Sequence, residues 1–276
     1  MSDLLAEPAP LTPVFLLVGQ SNMLGTTCLE EQASDPGRNT ADKHVEFAWS
    51  NVHALNTEYP PRLYGNSNNE FRTLHAQQGE GADRTFWGPE FAFARAMHVA
   101  GWRRLTLIKV SRGGGGNTYW SRRAFCEAPA QGHMWGHLLD VLRGCLDALV
   151  EQRVRFRVCG LLYLQGESNS DAEAAAAGPR LNAFIDDLHA WLEARSAGAS
   201  DGMHAVIGEI AASQSDPRRA KTARQHFALA THRDDASFVG TRDLALKSDG
   251  IHFGKDAKLE IGRRFARAYL LARDRL

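Results

Sequence analysis

The stretch FLLVGQSNMLG, residues 15–25, decides the fold of this chain, because an unbroken apolar run stops at a glycine and a serine follows almost at once. The apolar positions from Val14 to Val18 predict a short buried strand that ends at Gly19. Ser21 would then lie just beyond the carboxyl end of this strand. What the serine does depends on the segments that the fold brings to it.

Four further apolar runs resemble the first, and they cover residues 105–110, 158–164, 205–210 and 237–241. They are continuous rather than alternating, which is typical of strands buried on both faces of a parallel sheet. Segments of helical period lie at residues 138–149 and 181–192, and helices are also predicted at 90–99 and 257–273. This alternation predicts an α/β fold with three α/β/α layers, doubly wound and flavodoxin-like, around a parallel sheet of five strands.

The length of 276 residues, without an internal repeat or a low-complexity linker, predicts a single domain over residues 1–276. One segment departs from the strand and helix rhythm, since residues 26–88 are rich in Asn, Asp, Glu and turn residues. We expect this segment to be a long, loop-rich insertion, in which only VEFAWS, residues 45–50, resembles a strand.

The composition bears on partners and on the cell compartment. Thirty-two basic and 32 acidic residues leave no net charge, which argues against nucleic acid or an anionic membrane and favours a small or neutral molecule. Residues 1–13 carry no basic patch, and the apolar run after them is too short for a signal peptide or a membrane span. The four cysteines are widely spaced, which predicts neither a disulfide framework nor a zinc site. We therefore expect a cytoplasmic protein, and the sequence leaves its oligomeric state open.

Ligands of open parallel sheets bind beyond the carboxyl ends of the strands. A serine in such a place most simply caps a helix, so Ser21 needs partners before it can be considered a nucleophile. His252 is the candidate base, and Asp249, three residues earlier, is placed to orient its ring. An exposed loop pair is the alternative interpretation of Asp249 and His252 taken by themselves.

Two other strand ends carry polar or glycine-rich segments. The glycines at 113–116 match neither phosphate-binding template, because no Lys-Ser/Thr follows and Thr118 or Tyr119 stands where a last glycine is needed. Their N–H groups could instead approach a tetrahedral oxyanion, with a flexible turn as the alternative. The amide of Gln165 could donate to the same oxyanion. Glu167 could order the pocket, act as a second carboxylate near His252, or begin a helix.

No metal site is predicted from the histidines. His133 and His137 have i, i+4 spacing, but no glutamate lies between them and no further ligands are evident. We expect neither a metal ion nor a cofactor.

Five short motifs, in order along the chain, resemble the SGNH hydrolase superfamily, and within it the branch that contains sialate O-acetylesterases and acetylxylan esterases. They are GQSNM at 19–23, WGPE at 87–90, KVSRGG at 109–114, QGESN at 165–169 and DGIHF at 249–253. Each motif alone is weak, but five in register cover nearly the whole chain. Two departures touch the pocket: Asn169 stands where the branch usually has Asp, and Gly115 where it usually has Thr.

The resemblance implies roles for individual residues. Ser21 would attack the acyl carbon, His252 would act as general base and then as general acid, and Asp249 would hold the imidazole. Some relatives assign the acid role to the glutamate of the fourth motif, so Glu167 is an alternative acid or a pocket residue. The implied oxyanion hole consists of the Ser21 backbone N–H, a backbone N–H at Gly113 or Gly114, and the Gln165 amide. The remaining pocket candidates are Gln20 and Asn22.

Taken together, the residues and the resemblance predict a serine esterase that removes short acyl groups, above all acetyl, from carbohydrate hydroxyls through a covalent acyl-enzyme. Its substrate would be a small-molecule or oligosaccharide acetyl ester. The alternative is a catalytically silent carbohydrate-binding protein on the same scaffold, which a missing triad residue would favour, and none is missing. A nucleotide-binding Rossmann protein is disfavoured by the glycine pattern.

Overall fold

The structure is a computed structural model that describes residues 11–25, 36–37, 39–79, 85–196, 198–211 and 214–274. Its strands are β1 (Thr12–Gly19), β2 (Val45–Val52), β3 (Leu63–Asn66), β4 (Arg72–Thr73), β5 (Gln77–Gln78), β6 (Thr85–Phe86), β7 (Leu105–Arg112), β8 (Phe156–Leu164), β9 (His204–Gly208) and β10 (Ala236–Val239). Its helices are α1 (Ser21–Leu24), α2 (Glu90–Val99), α3 (Arg122–Glu127), α4 (His133–Glu151), α5 (Asp171–Ala175), α6 (Ala177–Arg195), α7 (Pro217–His232) and α8 (Lys255–Arg273).

The central sheet has the strand order β10-β9-β8-β1-β7-β2-β3, and β4 also pairs with β2. The first six strands of this order are parallel, whereas β3 and β4 run antiparallel to β2. β1 lies between β7 and β8, near the middle of the sheet. The chain turns from one half of the sheet to the other at β1, which is where parallel sheets place their ligands.

The prediction of a five-stranded, fully parallel sheet is wrong. The five predicted strands are neighbours in the order β7-β1-β8-β9-β10, but the described part of the chain forms a mixed sheet of eight strands. The additional strands come from the predicted loop-rich insertion: VEFAWS lies in β2, which is a sixth parallel strand, and β3 and β4 pair with it. β3 and β4 have four and two residues without fully buried side chains, so they leave no apolar run in the sequence.

The apolar core lies on both faces of the sheet, as the continuous hydrophobicity predicts. Side chains of β1 alternate between two buried clusters, with Leu16 in one and Phe15 in the other. The first cluster contains apolar residues of α4 and α6, and the second contains those of α2 and α8. Helices therefore cover both faces, and the architecture has three α/β/α layers.

Local capping explains where several helices begin. Ser170 and Glu173 form a reciprocal capping box at α5, and Asp216 accepts backbone hydrogen bonds at the start of α7. α2 begins at Glu90, directly after Pro89, which cannot donate a backbone hydrogen bond.

The cysteines at 126, 145 and 159 are free thiols, and Cys28 lies outside the described residues. Cys145 is fully buried in α4 among apolar side chains. None of the described helices combines the length and the apolar character that crossing a membrane requires.

Candidate active site

The register of the sheet brings three of the predicted segments to one edge. Gly19, the last residue of β1, is level with Ser111 of β7 and with Leu164 of β8. The chain therefore leaves all three strands at the same height, and residues 20–22, 113–114 and 165–167 follow immediately. This common edge is the carboxyl edge that parallel sheets use for ligands.

Gly19 lets the chain turn directly from β1 into α1. A Cβ at this position would lie 2.1 Å from the Leu164 carbonyl oxygen and 2.7 Å from the Met23 Cβ, so a larger residue would push α1 away from the sheet. The Gln20 carbonyl accepts the N–H groups of Met23 and Leu24 at 2.9 and 2.8 Å. The Ser21 N–H stands ahead of these bonds, in the first turn of α1, where backbone donors have no helical partner.

Ser21, His252 and Asp249 form a chain of hydrogen bonds. The Ser21 Oγ lies 2.9 Å from the His252 Nε2, across 231 positions of sequence. The His252 Nδ1 lies 2.7 Å from the Asp249 Oδ2. A ring that donates its Nδ1 proton to a carboxylate presents Nε2 as an acceptor, which suits removal of the serine proton.

The Asp249 carboxylate is held by its own loop. Its Oδ1 accepts the N–H groups of Ile251 and His252 at 2.8 and 2.9 Å. Partial burial opposes ionisation of Asp249, but the hydrogen bonds from His252 and Ile251 prevail and hold its pKa at about 2. Asp249 is therefore an anion throughout the neutral and mildly acidic range.

Asn22 ties the serine segment to two other loops. Its Nδ2 donates to the Glu167 Oε1 at 2.7 Å and to the Ile251 carbonyl at 3.1 Å. Its Oδ1 accepts the N–H of Phe253 at 3.0 Å. The residue after Ser21 therefore fixes the loop that carries His252, which explains why an amide is useful there.

Glu167 lies beside this network without contacting the imidazole by a hydrogen bond. Burial raises the pKa of its carboxyl group, and the hydrogen bond from Asn22 opposes this shift. The buried Oε2 has no hydrogen-bond partner within the ranges that the structure describes. Of the two carboxyl groups that the sequence left open, Asp249 is the one bonded to His252.

Gln20 connects α1 to the segment after β8. Its Nε2 donates to the Ser168 Oγ at 3.2 Å, and its Oε1 accepts the Gly166 N–H at 3.2 Å. Gln20 is buried, and its two hydrogen bonds hold these segments at a fixed distance from each other.

The predicted oxyanion donors differ in whether their N–H groups already donate a hydrogen bond in the structure. The Gly113 N–H already donates to the Val52 carbonyl at 3.1 Å, whereas the Gly114 N–H has no acceptor among the described residues and its φ is 63°. The Gln165 Nε2 donates one hydrogen bond, to the Gly115 carbonyl at 3.2 Å, and an amide nitrogen carries a second hydrogen. The geometry therefore favours Gly114 over Gly113.

Arg112 is a site residue that the sequence reasoning missed. Its guanidinium donates to the carbonyls of Gly113 and Gly114 at 3.1 and 2.7 Å, and to those of Ala54 and Asn56 at 3.1 and 2.8 Å. It therefore fixes the glycine segment against the loop after β2. An arginine at the end of a buried strand, before glycines whose carbonyls need donors, was the signal available in the sequence.

A buried ion pair holds the end of α1 and joins two of the sequence motifs, WGPE and KVSRGG. Lys109 and Glu90 are fully buried, and the Lys109 Nζ lies 3.0 Å from both Glu90 carboxylate oxygens. The same Nζ donates to the carbonyl of Leu24, the last residue of α1, at 3.0 Å, and to the Gln77 Oε1 at 2.9 Å. Burial lowers the pKa of Lys109, and the charge of Glu90 opposes this shift.

His133 and His137 have separate partners. The His137 Nε2 lies 2.8 Å from the Ser50 Oγ, and burial lowers the pKa of this ring to about 4. The His133 Nδ1 lies 2.8 Å from the Ala130 carbonyl oxygen. In the described part of the chain, no three His, Cys, Asp or Glu side chains are grouped to hold a metal ion.

Comparison with known families matches residues 12–271 to the model of one family, described as carbohydrate esterase, sialic acid-specific acetylesterase. The chain belongs to this family. Comparison with curated proteins gave no match.

Solved structures share the fold of this acetylesterase family member. A protein of Arabidopsis thaliana has a TM-score of 0.66 at 19% identity, covering 95% of this chain and 99% of that chain. A carbohydrate acetylesterase from Xanthomonas citri has a TM-score of 0.59 at 16% identity, covering 92% of this chain and 55% of that chain. NanS has a TM-score of 0.59 at 13% identity, covering 96% of this chain and 98% of that chain. At these identities the likeness concerns the fold alone.

Proposed function

We propose that this chain is a serine esterase that removes acetyl groups from carbohydrate hydroxyls through a covalent acyl-enzyme. The observation that carries the proposal is the hydrogen-bonded series Ser21, His252 and Asp249 at the carboxyl edge of the sheet. Membership of a carbohydrate esterase family supports the reaction class. The sialic acid specificity in the family's description makes an O-acetylated sialic acid the first substrate to test.

In the proposed acylation, the Ser21 Oγ attacks the acetyl carbonyl carbon while its proton passes to the His252 Nε2. Asp249, ionised at neutral pH, stabilises the imidazolium that forms. The tetrahedral intermediate collapses when its bond to the sugar oxygen breaks, and His252 gives its proton to that oxygen. In deacylation, His252 takes a proton from water as the water attacks the acetyl-serine. The bond between the acetyl carbon and the Ser21 Oγ then breaks, His252 returns its proton to that oxygen, and the acetic acid released ionises to acetate.

The proposed oxyanion hole uses the Ser21 N–H, the Gly114 N–H and the second N–H of the Gln165 amide. These donors come from the ends of β1, β7 and β8, so the rigid sheet holds them in place. The loss of one such donor typically lowers turnover about 10²-fold to 10³-fold. Arg112 would maintain the conformation of the glycine segment through its bond to the Gly114 carbonyl.

The decisive experiment measures acetate release from 9-O-acetyl-N-acetylneuraminic acid and hydrolysis of 4-nitrophenyl acetate by the purified protein. Ser21→Ala should lower kcat at least about 10³-fold. Ser168→Ala is the matched control, because Ser168 lies at the same edge and contacts Gln20 rather than His252. We expect this control to keep turnover within about tenfold.

Unchanged turnover in Ser21→Ala, with an unchanged melting temperature, would contradict the mechanism. Binding of acetylated sugars without any acetate release by the unmodified protein would instead favour the silent carbohydrate-binding alternative.

A further inference from the structure

A concave site lies at the end of the sheet opposite to Ser21. It is a cavity of about 980 Å³, lined by residues at or just before the amino ends of the central parallel strands, among them Thr12, Arg104 and His204. β1 spans eight residues, so the cavity and Ser21 are separated by roughly 20–25 Å along the strand at about 3.3 Å per residue. We call this cavity the basic pocket.

The basic pocket concentrates positive charge. Six arginines line it, namely Arg103, Arg104, Arg153, Arg155, Arg157 and Arg273, while Asp201 is the single acidic residue among the described residues of its lining. The whole chain carries no net charge. The arginines therefore create a local field that the overall composition does not show.

Five of these arginines form no ion pair with any residue that the structure describes, namely Arg103, Arg104, Arg153, Arg157 and Arg273. Two members of this group contact aromatic rings. Arg103 lies 3.4 Å from the His98 Nε2, and the Arg273 guanidinium stacks 4.5 Å from the centre of the Trp102 ring. Their charges are available to an incoming anion.

A second arginine-rich cavity in the same molecule provides a contrast. It has a volume of about 1320 Å³ and is lined by residues of α7, β10 and α8. Its Arg263 and Arg264 pair with Glu260, and its Arg242 pairs with Glu209. Three of the five arginines that line this cavity are thus neutralised by carboxylates, whereas five of the six in the basic pocket have no such partner among the described residues.

Helix dipoles offset only part of this positive charge. α2, α4 and α8 all end beside the basic pocket, and arginines near carbonyl ends of helices are favourable. Each helix end is equivalent to about −0.5 of a charge. For the five arginines without an ion pair, the three helix ends and Asp201 leave an excess of roughly two to three positive charges among the described residues, which a bound anion would balance.

We propose that the basic pocket binds a small compound with two or more phosphate groups. A guanidinium presents a planar fork of N–H donors that matches phosphate oxygens, and one phosphate offers enough oxygens for two arginines. The volume lies within the range of small-molecule sites. The distance from Ser21 leaves the ester-cleaving edge free, so this inference does not depend on the proposed function.

The test is isothermal titration of the full-length chain with inorganic tripolyphosphate at low ionic strength. The full-length chain is used so that the acidic residues Asp3 and Glu7, which lie outside the described residues, are present in the measurement. We expect saturable one-to-one binding that weakens steeply with added salt. Arg104→Gln and Arg153→Gln should each weaken binding about tenfold or more, because each removes hydrogen bonds to a charged group.

Arg263→Gln is the matched control, since it removes the same charge from the other cavity, where the arginine is paired with Glu260. It should change affinity less than about twofold, and all three variants should keep the esterase activity of the unmodified protein. Absence of saturable binding, or equal weakening by Arg263→Gln, would overturn the proposal. ATP should bind as tightly as tripolyphosphate, and tighter binding of a sialic acid trimer would overturn the assignment to phosphate.

Discussion

Asp249 and Glu167 are two carboxyl groups near one imidazole, and their surroundings separate them. Asp249 accepts two backbone N–H groups and contacts the His252 Nδ1, so its charged form is favoured. Glu167 is buried and has one oxygen without a partner among the described residues, so its neutral form is favoured. Geometry and electrostatics both make Asp249 the better anion for an imidazolium.

The two carboxyl groups can be distinguished by isosteric variants. Asp249→Asn should lower kcat roughly 10³-fold to 10⁴-fold, because the amide cannot stabilise the imidazolium and favours the wrong tautomer. Glu167→Gln should keep kcat within about tenfold, since the amide oxygen can still accept from Asn22. Steady-state kinetics on 4-nitrophenyl acetate measure both, and a larger loss in Glu167→Gln would assign the acid role to Glu167.

Glu167 also predicts a dependence of stability on pH. Its pKa is raised in the folded protein, so the folded state holds this proton more tightly than the unfolded chain does. The stability of the unmodified protein relative to Glu167→Gln should therefore fall as pH rises above 4.5, the ordinary value for this group, and level off above the folded pKa.

Urea unfolding of both proteins between pH 4 and pH 8 measures this difference. Asp249→Asn is the control: with a folded pKa of about 2 in the unmodified protein, its stability difference should be flat above about pH 5. A difference between the protein and Glu167→Gln that does not change with pH would contradict the prediction.

At the scale of elements, α1 is too short to hold its own position. It has four residues, and its end is fixed by the Lys109 Nζ, which contacts the Leu24 carbonyl. Glu90 of α2 accepts two hydrogen bonds from the same ammonium. The ion pair thus connects β7, α2 and the helix that carries Ser21.

Breaking this ion pair should destabilise the protein strongly. Lys109→Met leaves the Glu90 carboxylate buried without its cation, which typically costs about 3–5 kcal/mol. For a chain of this length, the melting temperature should fall roughly 5–10 °C. Arg123→Met is the control, because its pair with Glu127 is exposed, and it should leave the melting temperature unchanged.

The double variant Lys109→Met with Glu90→Leu tests the cause of the loss. Removing both charges should recover much of the stability, because no uncompensated charge remains buried. A double variant as unstable as the sum of the two single variants would show that packing, rather than charge, dominates.

At the scale of the whole molecule, the two helical layers define where the loops meet. α2 packs against α8, and α8 follows directly from the loop that carries His252. Gly262 of α8 lies at this contact: a Cβ there would stand 2.2 Å from the Pro89 carbonyl oxygen and 2.7 Å from the Phe93 nitrogen. The backbones of the two helices meet closely because this residue has no side chain.

Gly262→Ala should therefore destabilise the protein by about 1–3 kcal/mol through overpacking, although alanine favours helices. Gly178→Ala in α6 is the control, because its Cβ would first meet the end of the flexible Gln225 side chain. Thermal unfolding of both variants measures the difference. Equal or higher stability of Gly262→Ala would contradict the packing argument.

The sequence predicted the strands that it marks with long apolar runs, and their ends. β1, β7 and β8 are buried on both faces. The apolar side chains that this burial requires make each strand visible as an apolar run in the sequence. From the motifs it also predicted Ser21, Asp249 and His252 as one catalytic set, and the structure brings their side chains within hydrogen-bond distance. It did not predict β3 and β4, which are short and lack fully buried side chains, nor the support that Arg112 and Lys109 give.

The sequence by itself thus determined the layered α/β architecture and the candidate catalytic residues, because hydrophobic periodicity and residue type are local properties of the chain. Only the tertiary structure decided that Asp249 rather than Glu167 contacts the imidazole, and that the Gly113 N–H has an acceptor whereas the Gly114 N–H has none among the described residues. It also gathers at the far end of the sheet five arginines that have no ion-pair partner within the described ranges. These outcomes depend on distances between groups far apart in sequence, and hydrogen bonds and charge interactions change over a few ångströms that no local pattern records.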